Sequence, residues 1–330
     1  MVTKQTEPDV DAWKDQDRRQ RNPNRTKRFG AIVVVAVLLI VGVALGIGTL
    51  GGDDAEPAGS APEPTLAPEG SEQQVLSIVD VGSGTGTMLT VPSSASEFDV
   101  SLDGSMVAYI DLDENGDAQV FVMDADGSSA KQLTSGEGGV SDADTTGPFW
   151  SPDRSMIAYG RDFELFIVDV STGESTMVTQ EREEVVGPGG WTPDGGSIVF
   201  STPDYTIHHF SALSVDLATG ESRLMVRDGS SPALSPDGGL IAFNSWTKPD
   251  PLVRLIVAAA DGSGRRVIAR LEGEDGHQRW SPDSTQIAYA ERASDGDYDT
   301  YVYDLATGET RFVTTGRIES WVDDDRILVS

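Results

Sequence analysis

The 330-residue chain contains no cysteine and only three histidines. The absence of cysteine excludes disulfide bonds, thiolate catalysis and cysteine-ligated zinc, and it is compatible with either redox compartment. The sequence also lacks the Gly-x-Ser-x-Gly turn of serine hydrolases, the His-Glu-x-x-His helix of zinc peptidases and the Gly-x-x-x-x-Gly-Lys phosphate loop. These absences argue against several classes of enzyme, but they do not identify a function.

Positive charge is scarce as well. The chain has 24 Lys and Arg against 54 Asp and Glu, a formal net charge of -30 at pH 7. The acidic excess lies in residues 31–330, because residues 1–30 carry more basic than acidic side chains. A strongly negative body repels phosphate backbones, so we expect no nucleic-acid partner.

Residues 31–50 form an uncharged stretch that is rich in Val, Ile, Leu and Ala. At about 1.5 Å per residue, a helix of this length covers roughly the 30 Å of a bilayer core. The stretch therefore predicts one transmembrane helix. The basic residues before it keep residues 1–30 in the cytoplasm, as a short tail, and place the remainder outside. The alternative is a cleaved secretory signal, whose apolar core is usually about 7–15 residues long.

Residues 51–72 are dominated by Pro, Ala, Gly, Ser and Glu. This composition buries too little apolar surface to fold, so it predicts a disordered, extended linker. Residues 73–330 remain for a folded domain.

A ten-residue pattern organises that domain. It recurs six times without a gap, and the copies begin at Val100, Trp150, Trp191, Leu234, Trp280 and Trp321. Each copy has an acid at its fourth position, namely Asp103, Asp153, Asp194, Asp237, Asp283 and Asp324. Five copies end with an aromatic residue, namely Tyr109, Tyr159, Phe200, Phe243 and Tyr289, and the sixth ends with Ser330. The acids are 41 to 50 residues apart, a period typical of propeller blades.

Each repeat predicts four short antiparallel strands, because apolar residues alternate between Gly- and Asp-rich turns. Only two strands fit between Ile318 and Ser330, and residues 75–80 and 87–91 predict two more. We therefore predict an all-β, six-bladed β-propeller in which the N-terminal strands complete the C-terminal blade, preceded by one transmembrane helix. Such a closed ring leaves no exposed strand edge at which chains could aggregate.

The turn Trp191–Gly195 and the hairpin Met123–Gly127 resemble the WD-like repeats of TolB-type six-bladed propellers. The resemblance covers roughly residues 73–330 and implies the fold. It implies little about function, because such repeats occur in periplasmic adaptors and in propellers attached to serine peptidases. Residues 51–72 leave no room for the additional N-terminal α/β domain of TolB, so we do not expect this chain to belong to a Tol–Pal system.

One local motif suggests a metal site. Asp111, Asp113, Asn115 and Asp117 place oxygen ligands at alternate positions around a glycine, as calcium loops do. Val122 occupies the position where a helix-loop-helix calcium loop requires a bidentate Glu, so only a hairpin-borne calcium site fits. The alternative is a plain acidic hairpin, since Asn-Gly is a strong hairpin turn signal.

Other repeated or polar residues have structural interpretations. We expect the Trp positions of the repeat to pack between blades, and the alternative is an aromatic sugar platform. His208 and His209 point to opposite faces of a strand and cannot share a metal, and we expect all three histidines, including His277, to be surface residues. The first strands are expected to present apolar or small residues to the channel: Phe98, Phe149, Gly190 and Ala233.

Acidic residues are predicted to gather on one face of the propeller. Connections between blades and hairpins between the second and third strands emerge on the same side, which we call the inter-blade face. It is predicted to carry Asp228 and a partner-binding set comprising Glu137, Asp142, Asp144, Glu181, Glu183, Glu184, Glu272, Glu274 and Asp275. Such a face suits a cationic partner, although a solvated surface explains it equally.

These features favour a membrane-anchored extracytoplasmic propeller that binds a protein or peptide without catalysis. One alternative is a transmembrane signalling component, whose cytoplasmic tail of 30 residues would act through a peptide-like contact. Another is a calcium-dependent propeller hydrolase of esters or lactones, which would need acids and a general base facing the channel.

Overall fold

The computed structural model describes residues 73–136, 147–179, 184–185, 187–207, 209–246, 252–272, 277–293 and 296–330. The predicted cytoplasmic tail, transmembrane helix and linker lie in residues 1–72, outside the described residues, and they stay predictions. Within the described ranges, no helix has the length and apolar character needed to cross a bilayer.

The described residues form 24 strands in six four-stranded antiparallel sheets. Blade one consists of β3 (Ser96–Val100), β4 (Met106–Leu112), β5 (Ala118–Asp124) and β6 (Lys131–Gln132). Blade two consists of β7 (Phe149–Trp150), β8 (Met156–Arg161), β9 (Glu164–Asp169) and β10 (Ser175–Met177). Blade three consists of β11 (Gly187–Trp191), β12 (Ser197–Asp204), β13 (His209–Asp216) and β14 (Ser222–Arg227).

Blade four consists of β15 (Ser230–Leu234), β16 (Leu240–Ser245), β17 (Val253–Ala259) and β18 (Arg266–Leu271). Blade five consists of β19 (Gln278–Trp280), β20 (Gln286–Arg292), β21 (Tyr298–Asp304) and β22 (Thr310–Thr315). Blade six consists of β23 (Ile318–Trp321), β24 (Arg326–Val329), β1 (Gln73–Asp80) and β2 (Gly86–Pro92).

The first strands of the blades surround a central axis. Each of them contacts the first strand of the next blade, in the cyclic order β3, β7, β11, β15, β19, β23 and back to β3. Buried apolar clusters fill the spaces between neighbouring sheets. The predicted six-bladed propeller is therefore confirmed.

The sixth blade closes the ring as predicted. Its strand order is β2-β1-β24-β23, and β1 pairs with β24 from Ser77↔Val329 to Asp80↔Arg326. Val79 and Ile327 face each other in this pairing and lie in one buried cluster. The two ends of the propeller are thus held by the same backbone ladder.

The aromatic residue of the repeat is a core residue. Tyr109, Tyr159, Phe200, Phe243 and Tyr289 are all at most 5% exposed. Three of them stack on an aromatic residue directly opposite on the next strand, with ring centroids 5.6 to 5.7 Å apart. Such cross-strand pairs add to the stability of a sheet, which explains why the position repeats.

The repeated acid organises the turn between the first and second strands. Asp153 accepts hydrogen bonds from the hydroxyl of Ser151 (2.8 Å) and the amide of Ser155 (3.0 Å). The equivalent bonds form around Asp103, Asp194, Asp237 and Asp283. The backbone amide of Ser155 is the main cause that lowers the pKa of Asp153, so its carboxylate stays ionised.

Ring closure predicts a specific mutational effect. Ile327→Ala leaves a cavity beside fully buried neighbours, so we expect a loss of about 2–5 kcal/mol in the free energy of unfolding. Val75→Ala in the same blade removes a side chain that is 52% exposed, so we expect a change within about 0.5 kcal/mol. Urea denaturation measures both, and equal losses would contradict the closed blade.

Candidate functional site in the central channel

A cavity of about 240 Å³ lies on the propeller axis. Every blade contributes to its wall the residue that immediately precedes the Trp position of the repeat: Asp99, Phe149, Gly190, Ala233, Arg279 and Ser320. We call these six the axial residues. Leu102, Pro236 and Pro282, from the turns after the first strands, line one end of the cavity. Ser231, His277 and Gln278 also line it and precede the axial residues of blades four and five in the chain.

The prediction for the channel wall was partly wrong. Phe149, Gly190 and Ala233 do line the cavity, but Phe98 does not. Phe98 is 2% exposed and stacks on Tyr109 at 5.9 Å, inside blade one. A β-bulge between Ser96 and Asp99 shifts the register of β3, and the residue that faces the channel is the charged Asp99.

The Trp positions pack between blades, as predicted. Each indole Nε1 donates a hydrogen bond to the backbone carbonyl of an axial residue in the preceding blade. The acceptors are Asp99 for Trp150, Phe149 for Trp191, Ala233 for Trp280 and Arg279 for Trp321, at 2.8 to 3.2 Å. The repeat therefore fixes the backbone that carries the axial side chains.

Four of the six first strands contain a bulge before the axial residue. At two of these bulges a non-glycine residue has a positive φ, 51° at Glu97 and 46° at Ser231. In β11, a Cβ on Gly189 would lie 2.0 Å from the carbonyl oxygen of Pro232, so only glycine allows β11 and β15 to approach this closely. The bulges re-aim polar side chains around the channel.

Asp99 is the acidic group of the cavity wall. Its carboxylate accepts hydrogen bonds from the backbone amide of Trp150 (2.9 Å) and the hydroxyl of Ser320 (2.9 Å). Burial raises the pKa of Asp99, while the Trp150 amide, the positive charge of Arg279 and the Ser320 hydroxyl oppose that rise. The carboxylate is held in one orientation from two blades.

Arg279 is the basic group of the wall. Its Nε donates to the carbonyl of Glu319 (2.7 Å) and its Nη1 to the carbonyl of Gln278 (3.1 Å). The guanidinium carbon also lies 5.2 Å from the ring centroid of Phe149, within cation–π distance. Contacts with three blades therefore position this side chain.

A second charged group lies where the ring closes. Glu319 is 2% exposed, and its Oε1 accepts hydrogen bonds from Nε (3.0 Å) and Nη2 (2.8 Å) of Arg317. The hydroxyl of Ser330 donates to the same oxygen at 2.7 Å, and Nη1 of Arg317 lies 3.5 Å from Glu97. Burial raises the pKa of Glu319, and its ion pair with Arg317 opposes the rise.

Gln278 and His277 complete the polar wall. Gln278 is 2% exposed, and its Nε2 donates to the carbonyl of Ser231, but its Oε1 has no hydrogen-bond partner among the described residues. Burial, with the nearby charges of Arg317 and Arg279, lowers the pKa of His277 to about 3. His277 is therefore a neutral, partly buried residue, which corrects the prediction of a surface position.

The sequence analysis missed Asp99, Arg279 and Gln278, although a sequence signal existed for Asp99 and Arg279. The first two immediately precede the Trp position in an alignment without gaps, and that column alone identifies all six axial residues. No sequence signal identifies the unpartnered Oε1 of Gln278. That oxygen is unpartnered because the amide is oriented by the bond from Nε2 to Ser231, a residue of another blade.

The inter-blade face is only partly described. Two members of the predicted partner-binding set are described: Glu184, which accepts a hydrogen bond from the Tyr205 hydroxyl, and Glu272, which is exposed. Asp228 accepts a hydrogen bond from Ser245 at 3.0 Å. The other members, Glu137, Asp142, Asp144, Glu181, Glu183, Glu274 and Asp275, lie outside the described residues, so their role stays a prediction.

The predicted calcium hairpin has local hydrogen bonds. Asp113 accepts hydrogen bonds from the backbone amides of Asn115 (2.8 Å) and Asp117 (3.0 Å), and Asp111 accepts one from the hydroxyl of Ser94. In the described part of the chain, no group of three or more His, Asp or Glu is arranged to hold a metal ion. The calcium site stays a prediction, which titration with millimolar calcium tests.

His209 does not line the cavity. His209 lies 3.8 Å from Asp228 through its Nδ1 and stacks on Trp246 at 6.4 Å. His208 is outside the described residues.

Known proteins are related to this chain at low identity, and no family model matches it. An uncharacterized protein of Agrobacterium fabrum is 26% identical over 207 residues, which are 58% of this chain and 67% of that protein. The Tol-Pal system protein TolB of Francisella tularensis is 34% identical over 88 residues, but these are only 26% of this chain and 20% of that TolB.

The structural comparison extends over the whole ring. Putative TolB from Agrobacterium tumefaciens superimposes with a TM-score of 0.62 at 18% identity, over 78% of this chain and 97% of that one. TolB from Acinetobacter baumannii superimposes with a TM-score of 0.57 at 14% identity, over 78% of this chain and 63% of that TolB. The fold is that of a TolB-type propeller. The predicted resemblance is thus confirmed.

A similar fold also occurs in an enzyme. Oligogalacturonate lyase in complex with manganese gives a TM-score of 0.51 at 24% identity, over 77% of each chain. The fold alone therefore does not separate binding from catalysis. That distinction depends on the residues of the channel.

His277 predicts the pH dependence of stability. Because an unfolded histidine has a pKa near 6.5 and folded His277 has one of about 3, the unfolded chain binds the extra proton as the pH falls. The contribution of His277 to the free energy of unfolding is therefore complete above about pH 6.5, and it is lost as the pH falls toward 3.

We therefore expect the urea midpoint to fall less between pH 7 and pH 5 in a His277→Asn variant than in the wild type. His209→Asn, which retains His277, is the matched control. Its urea midpoint should fall between pH 7 and pH 5 by as much of the His277 effect as in the wild type. Identical slopes for wild type and His277→Asn would contradict the burial of this imidazole.

Proposed function

We propose that this TolB-type propeller is a non-catalytic binding module for a protein or peptide. Residues 31–50 anchor it in the cell membrane, residues 1–30 lie in the cytoplasm and the propeller lies on the outer side. The proposal for the anchor rests on the charge and hydropathy pattern of the sequence.

The observation that carries the binding function is the preformed cavity on the axis. It combines apolar walls, such as Phe149, Pro236 and Pro282, with a few polar side chains in fixed positions. Asp99 and Arg279 are each held by hydrogen bonds to other blades. A site whose polar groups are already ordered loses little conformational entropy on binding, which favours recognition.

The chemistry of the wall supports binding over catalysis. A general base works best when its pKa is near the working pH, and His277, with a pKa of about 3, accepts a proton poorly at neutral pH. Asp99 is the group that the hydrolase alternative would require as its base. A loss of calcium-dependent ester or lactone hydrolysis in Asp99→Asn would favour that alternative.

Charge supports a cationic partner. The propeller is acidic, and Glu272 on the inter-blade face is exposed. Association with a basic partner would be fast at low salt and weaken as salt screens the charges. A contribution of the cytoplasmic tail to signalling would require a peptide-like contact of residues 1–30.

Site-specific photo-crosslinking in cells tests the proposal. Leu102, at the end of the cavity, and Leu224, on the outer strand β14, are both 49% exposed and form a matched pair. With a photoreactive residue at each position of the full chain, we expect a specific protein or peptide adduct from position 102 and none from position 224.

A third photoreactive residue at Glu272 tests the inter-blade face. Absence of adducts at both 102 and 272 would overturn the binding function, and adducts restricted to cytoplasmic proteins would overturn the proposed location. Adducts from position 272 that disappear at high salt would favour recognition through the acidic face.

A further inference from the structure

The turns between first and second strands form a ring at one end of the channel. Asp103 forms an ion pair with Arg154 of the next turn at 2.5 Å. The amide of Asp237 donates to the hydroxyl of Ser284 at 3.1 Å, and the amide of Asp283 donates to Asp324 at 2.9 Å. We call this ring the channel mouth, because Leu102, Pro236 and Pro282 of the same turns line the cavity.

The channel mouth is negatively charged. Each of its six turns exposes the acid of the repeat: Asp103, Asp153, Asp194, Asp237, Asp283 and Asp324. The basic residues nearest to these acids are Arg154, in the second turn, and Arg326, the first residue of β24. Hydrogen bonds, first from the Thr192 and Ser235 hydroxyls, lower the pKa of Asp194 and Asp237, which keeps these carboxylates ionised. The resulting field attracts cations and opposes anions.

An independent observation in the cavity wall suits a ligand with a hydrogen-bond donor. The Oε1 atom of Gln278 is buried and has no partner among the described residues. The bond from Nε2 to the Ser231 carbonyl fixes the orientation of the amide, since an oxygen in that place would face another acceptor. A buried acceptor without a partner is costly, so a donor in the cavity would be stabilising.

The charged residues of the wall are compatible with a cation. Asp99 supplies a carboxylate to the same cavity. The guanidinium of Arg279 is directed onto the carbonyls of Glu319 and Gln278, and Arg279 also lies against Phe149. A carboxylate ligand for Arg279 would have to pass six exposed acids. Arg279 and Arg317, which lower the pKa of His277 beside Gln278, oppose a cation there, but Asp99 and the six acids of the mouth outnumber them. The balance of charge therefore favours a cation over an anion.

We propose that the cavity is a binding site for an organic cation, a primary ammonium or a guanidinium group. The cation enters through the acidic channel mouth and donates hydrogen bonds to Oε1 of Gln278 and to the carboxylate of Asp99. The group belongs either to a free small amine or to a Lys or Arg side chain of a polypeptide. Binding of a free amine does not depend on the protein-binding function proposed above.

Calorimetric titration of the purified full chain tests the site. The probes are agmatine and pentylammonium as cations, and pentanoate as an anion of the same length as pentylammonium. We expect both cations to bind, more weakly at 300 mM than at 20 mM salt, and pentanoate not to bind. Acetylated, amidated Gly-Lys-Gly and Gly-Arg-Gly show whether a side chain in a polypeptide has the same access.

Variants identify the acceptor. Gln278→Met removes the amide at similar size, and we expect cation binding to weaken about tenfold or more, as a lost hydrogen bond to a charged group implies. Gln278→Glu retains the shape but replaces the Nε2 donor by an oxygen that faces the Ser231 carbonyl, so the acceptor loses its fixed orientation and we expect cation binding to weaken here as well. Gln286→Met is the control, because it makes the same substitution at a residue that does not line the cavity. Its affinity for the cations should equal that of the wild type.

A second pair of variants tests the mouth. Asp194→Asn removes one charge from the ring, and Asp261→Asn removes one from a turn between the third and fourth strands of blade four. We expect the first to weaken cation binding and the second to have the smaller effect.

Several results would overturn the inference. These are no heat with either cation at millimolar concentration, equal binding of pentanoate, or unchanged affinity in both Gln278 variants. Cation binding without any adduct at positions 102 and 272 would retain this site and remove the protein-binding function, whereas the reverse would retain only that function.

Discussion

The pairing of β1 with β24 is the constraint on which the rest of the structure depends. Strands from opposite ends of the folded domain share one ladder, and this ladder completes the sixth blade. The first strand of that blade, β23, carries Glu319 and the axial residue Ser320. Without closure, Asp99 would lose its bond from Ser320, and Arg279 would lose the carbonyl of Glu319. Architecture and site therefore arise from the same backbone interaction.

The six repeats are structurally alike but chemically different on the axis. The Trp, acidic and aromatic positions of the repeat make inter-blade hydrogen bonds, turns and core contacts, and these roles recur around the ring. The side chain at the axial position has no role that recurs around the ring, and it varies from Gly190 to Arg279. Differences among equivalent positions are thus where a propeller can acquire a function without losing its fold.

Much of the fold could be predicted because its determinants are local and repeated. Turn residues, alternation and the 41- to 50-residue spacing predict the blades, and the incomplete last repeat predicts how the ring closes. The candidate site was less predictable. The bulge in β3 exchanges Phe98 for Asp99 at the channel wall, and burial converts His277 from an expected surface residue into a neutral one. Neither effect follows from the alternation within one segment, because the bulge arises in the pairing of β3 with β4 and the burial of His277 arises from the residues packed around it.

Disulfide trapping can probe the closure of the ring without a background, because the chain has no cysteine of its own. Ser77 and Val329 are directly opposed in the pairing of β1 with β24, and opposed residues of antiparallel strands have Cα separations of about 4.5–5.5 Å, within the range of a disulfide. We expect Ser77→Cys/Val329→Cys to form an intramolecular disulfide on mild oxidation. Ser77→Cys/Val267→Cys, whose second cysteine lies in blade four, should not form one. Failure of the first pair to form it, or equal formation by both, would contradict closure of the ring.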